Sequence, residues 1–83
     1  MIVEELNETV VVRADFSGGA ITPRVFQRGG RNYTIDRVNA RWMDRDGGHA
    51  SYHFSVESGS DVYFMTLRVK DMVWRLEKVV MSG

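Results

Sequence analysis

Residues 23–42, PRVFQRGGRNYTIDRVNARW, decide the fold. They read as a β-hairpin, with one strand ending near Phe26, a turn at Gly29-Gly30 and a longer strand from Arg31 to Trp42. Glycine suits the turn because it takes positive φ without steric cost. The long strand changes phase along its length. Tyr33 and Ile35 are odd-numbered, whereas Val38, Ala40 and Trp42 are even-numbered, so a flat strand would send the two sets to opposite faces. One extra residue near Asp36-Arg37, a β-bulge, returns them to one face and bends the sheet toward closure.

Working outward, Gly, Asn and Asp clusters punctuate the chain between short runs rich in Val, Ile, Thr, Tyr, Phe and Trp. That spacing predicts an all-β, single domain over residues 1–83. Six antiparallel strands in meander order curl into a small barrel or half-barrel. Strand one runs from Glu8 to Phe16, strand two from Ala20 to Gln27, and strand three from Asn32 to Met43. Strand four covers His49–Glu57, strand five Val62–Val69 and strand six Met72–Met81, with a second phase change past Glu77-Lys78. Pro23 lacks an amide donor and belongs at an edge, a bulge or a strand end. Residues 1–8 fit either a turn or the start of strand one. The expected core is Val12, Phe16, Phe26, Tyr33, Ile35, Val38, Trp42, Tyr52, Phe54, Val56, Leu67, Trp74 and Leu76.

The chain has no Cys, which removes disulfides and thiolate metal sites. At 83 residues its stability rests on apolar packing. Glu4 and Glu5 interrupt any apolar leader, and no run approaches a membrane span, so the expected setting is cytoplasmic with no membrane partner. Net charge is zero, but its distribution is uneven. Residues 1–19 carry Glu4, Glu5, Glu8 and Asp15 against Arg13 alone. Residues 20–46 carry six arginines against Asp36, Asp44 and Asp46.

The landmarks Gly30-Arg31-x-Tyr33-x-Ile35, Tyr52-x-Phe54-x-Val56 and Trp74-x-Leu76-Glu77 resemble a family of small, uncharacterised bacterial all-β domains. An F-x-W-x-G-R-x-Y-x-V hairpin marks that family, and here Arg28 stands where it has tryptophan. In some relatives a similar domain follows a translesion-type DNA polymerase. The resemblance implies a setting near DNA repair and no catalytic residues.

Two surfaces are candidates. Val62 and Phe64 oppose Tyr63, Met65 and Leu67, giving strand five two apolar faces. Such a strand is covered on both sides, either centrally in the sheet or at an oligomer contact. The leading reading is a small interaction module that binds a protein partner, or itself, through this strand or an exposed edge. The alternative is a nucleic-acid-binding module. It would use Arg24, Arg28, Arg31 and Arg41 for phosphates and Tyr33 for stacking.

Other chemistry finds no footing. His49 and His53 share a strand face but lie roughly 13 Å apart, too far for one metal. Asp46 with His49 makes only two ligands. Asp44-x-Asp46-Gly47 opens like a calcium loop but lacks the acid at the bidentate position. No phosphate loop and no nucleophile–base–acid set stands out. The reading is therefore a non-enzyme with no cofactor.

Overall fold

The computed structural model describes residues 1–82, the side chain of Asp46 excepted. Its regular elements are strands: β1 Ile2–Ser17, β2 Ala20–Arg28, β3 Arg31–Thr34, β4 Arg37–Asp46, β5 His49–Ser58, β6 Asp61–Arg68 and β7 Val73–Met81. All pairings are antiparallel, in the order β3-β2-β1-β7-β6-β5-β4. The all-β half-barrel read from the sequence is present, with seven strands rather than six. The seventh arises because the expected third strand divides at Ile35-Asp36. The Ile35 amide donates to Arg24 O of β2, and the next amide, Asp36, donates to Glu57 O of β5, each at 2.8 Å. The chain thus changes partner within one peptide unit, close to the expected irregularity.

β1 is also shared between partners. Its residues 11–17 pair with β2, and its residues 2–10 pair with β7. The first eight residues are therefore mostly strand. A straight strand of 16 residues would span about 53 Å. The longest extent of the molecule is 38 Å, so β1 bends. The bend falls between Glu5, opposite Lys78, and Glu8, opposite Leu76, where β1 holds one extra residue. Asn7 adopts a φ of 48° there, a left-handed conformation that Asn tolerates better than most residues. β7 is irregular at the same level, because Phe64 and Met65 of β6 face Lys78 and Leu76 with Glu77 left over. This is the phase change read near Glu77-Lys78. It keeps Trp74, Leu76 and Val79 on the buried face.

The core contains Val10, Phe26, Phe54, Val56, Tyr63, Met65, Leu67, Trp74, Leu76 and Val79. Val12, Tyr33, Ile35, Val38 and Tyr52 pack against it half-buried. Phe26 stacks on Tyr33 and meets Tyr63 edge-on, with centroids 4.9 Å apart in both pairs. Pro23 is buried beside the β1–β2 register shift, a position where a missing amide is tolerated.

Two expected core residues lie outside. Phe16 is 62% exposed. It shares the parity of Val12 and Ala14, but it sits at the end of the β1–β2 hairpin beside the Gly18-Gly19 turn. Trp42 is 48% exposed for a different reason. Val38 faces Val56 and Ala40 faces Ser55, so Asn39 is an extra residue. A one-residue slip exchanges the two faces of a strand. Beyond Asn39, Arg41 and Met43 oppose Phe54 and Tyr52 on the concave side, and Trp42 opposes His53 on the convex side. The sequence expectation had Trp42 inward and Arg41 outward; the second bulge reverses both.

β6 lies between β5 and β7; its Tyr63, Met65 and Leu67 are buried in the core, while Val62 and Phe64 on the other face are half-buried. Phe64 is half-buried beneath the Lys78 ammonium, 4.8 Å from the ring centroid. Val62 is half-buried opposite Val80. Among the described residues, no helix is long and apolar enough to cross a membrane.

Candidate interaction site at the open edge of the sheet

The half-barrel is sealed at one corner and open beyond it. At the corner, Ser58 Oγ donates to Thr34 O at 2.8 Å, and the Gly59 amide donates to Asp36 Oδ2 at 2.9 Å. These bonds tie the β5–β6 turn to the β3–β4 junction. Past the corner β4 follows β5, and the first half of β2 has no strand on that side, because β2–β3 pairing covers only residues 25–28. The Arg41 guanidinium crosses the opening and donates from Nη1 to Ile21 O at 2.9 Å. A groove of about 250 Å³ lies beside it, lined by Ile21, Arg41, Met43, Tyr52 and Phe54.

β4 is a free edge. Every residue from Asn39 to Arg45 is exposed, including Met43 at 46%. Exposed charge on an edge discourages aggregation, but exposed Trp42 and Met43 do the opposite. The tryptophan is also held in place. Its ring stacks on His53 with centroids 5.3 Å apart and planes within 9°. His53 Nε2 lies 3.0 Å from Asp44 Oδ2, and its Nδ1 lies 3.0 Å from Thr66 Oγ1. The Thr66 hydroxyl donates to Glu77 Oε1 at 3.0 Å. One polar line therefore crosses β4, β5, β6 and β7 and fixes the surface on which Trp42 rests. The edge thus presents a half-exposed tryptophan stacked on His53, an arginine and an apolar groove.

The five arginine-surface residues do not form one surface. Arg28, Arg31 and Tyr33 come together at the β2–β3 turn. Arg31 lies over the Tyr33 ring at 5.5 Å, and Arg28 Nε donates to Glu8 Oε1 at 2.6 Å. The Glu8 hydrogen bond raises the Arg28 pKa further above its usual value, against the opposing effect of burial. Arg24 donates instead to Asp15 Oδ2 at 2.8 Å, and both side chains are largely exposed. Arg41 sits at the far end of β2, beside Ile21, about 23 Å along the strand from Arg28. Arg24 and Arg28 thus each spend a guanidinium bond on a carboxylate of β1.

The sequence reading passed over Trp42 as a surface residue and over the His53–Thr66–Glu77 line. Their meeting depends on Asn39, the extra residue that gives Trp42 and His53 a common face, and nothing in the sequence marks it as a bulge. Among the described residues, no group of three or more metal-ligating side chains occurs. The suggested Asp46–His49 approach lies outside the described residues, since it needs the Asp46 side chain. The chain matches no family model, and neither the curated proteins nor the solved structures contain a significant match to it.

Proposed function

We propose that this protein is a small interaction module whose free β4 edge accepts an extended segment of a protein partner. The observation that carries this is the combination on one edge of unpaired backbone, an anchored tryptophan and an apolar groove. An added strand would satisfy the β4 backbone, and every second side chain would face the groove between Ile21 and Phe54. The module works by binding rather than by catalysis.

The test is selection of displayed peptides against the full chain, followed by amide chemical-shift mapping. Perturbations should concentrate on residues 37–45. Trp42→Ala should weaken binding by about 2 kcal/mol, the range of a tryptophan hot spot. Peptides that shift the Val62 and Phe64 face instead, with Trp42→Ala neutral, would move the site to β6. Labelled oligonucleotides serve as the comparison, with no salt-dependent binding expected.

A further inference from the structure

The same strand set has a second free edge, and its chemistry is the reverse of that of β4. β1 from Ile2 to Val10 pairs only with β7, because its pairing with β2 begins at Val11. Over residues 2–10, where β2 does not reach, the β1-β7-β6-β5-β4 part of the sheet therefore ends in β1 on one side and in β4 on the other. On β1, Ile2 and Val3 are each 55% exposed and are followed by exposed Glu4 and Glu5. On β4, Trp42, Met43 and Asp44 are exposed between exposed Arg41 and Arg45, and with Arg37, residues 37–45 carry three arginines against the one carboxylate of Asp44, which lies 3.0 Å from His53 Nε2. Among the described residues, neither Glu4 nor Glu5 forms an ion pair, and neither do Arg37, Arg41 and Arg45.

We infer that the partner segment of the β4 edge is the acidic β1 edge of a second copy of this chain, giving head-to-tail association. This rests on the interaction-module reading above. Two β4 edges repel each other through their arginines, and two β1 edges through their glutamates. Of the pairings between these two edges, β1 to β4 is the one that matches both charge and exposed apolar surface. Four antiparallel pairings separate β1 from β4, so the two edges run in the same direction. With the sheet continued in one sense, the joint is a parallel pair. Successive copies are then related by rotation about the strand direction, which gives a ring where the rotation closes and a filament where it does not.

Sedimentation velocity on the full chain, from low micromolar to millimolar concentration and across a salt series, tests this. Association that grows with concentration and weakens with salt is expected. Glu4→Arg combined with Glu5→Arg, and separately Arg41→Glu combined with Arg45→Glu, should each weaken association more than about tenfold. An equimolar mixture of the two variants presents opposite charges at every joint and should recover the wild-type behaviour. That recovery would also show that both variants are folded. A wild-type chain that is monomeric throughout, or reversed variants that associate like the wild type, would overturn the inference. If selected peptides still shift the β4 amides of a monomeric chain, the interaction-module reading survives alone. If they do not, both fall.

Discussion

Met72, in the turn before β7, has a φ of 57° and is 57% exposed. A non-glycine residue in the left-handed region costs about 1–2 kcal/mol, and exposure means that little packing offsets it. Met72→Gly should therefore stabilise the fold by about 0.5–1 kcal/mol after the entropy of glycine is counted, as read by urea unfolding. Tyr63 carries a different residue-level signature. Burial, followed by the nearby Asp61 carboxylate, raises its pKa above the ordinary value of 10.0. Because the folded-state pKa is the higher one, the neutral phenol contributes fully below the unfolded value. That contribution is lost as pH rises through the folded one. Unfolding free energy should fall at alkaline pH, and Tyr63→Phe should fall less steeply than the wild type. Equal slopes would remove Tyr63 as the source.

At the scale of elements, the sheet is governed by its irregularities. The β3–β4 corner depends on Asp36, whose carboxylate takes the Gly59 amide while its own amide bonds Glu57. Asp36→Ala should cost about 1 kcal/mol, and hydrogen exchange at Gly59 should speed up selectively. Uniformly faster exchange would mean that the corner does not act locally. The corner was legible in the sequence, because Tyr33-x-Ile35 and Val38 disagree in parity. The phase change at Glu77 was legible for the same reason, from Leu76 and Val79. The bulge at Asn39 was not. Arg41, Trp42 and Met43 sit on an exposed edge where no burial requirement selects one parity, so the alternation of Val38, Ala40 and Trp42 read as a single face. The site hinges on that residue, which is why the fold could be read and the edge could not. Phe16 shows the companion limit: parity names a face, but it does not tell how far the core extends beneath it.

For the whole molecule, stability is concentrated in one core. Phe26 is fully buried and Phe16 is 62% exposed, although both are phenylalanines on paired strands. Phe26→Ala should cost about 3–5 kcal/mol, a large share of a total of roughly 4–12 kcal/mol for a domain of this size. Phe16→Ala should change stability by less than about 1 kcal/mol. Thermal denaturation followed by circular dichroism separates the two. A different consequence follows from β1 pairing with β7, where Ile2 faces Met81. A ribosome emits these two segments far apart in time. At roughly 5–20 residues per second, the first strand is made about 4–14 s before the last. Throughout that interval the nascent amino-terminal segment lacks its β7 neighbour, while the hairpins behind it are already able to form. Commitment to the native state is deferred until the final strand emerges.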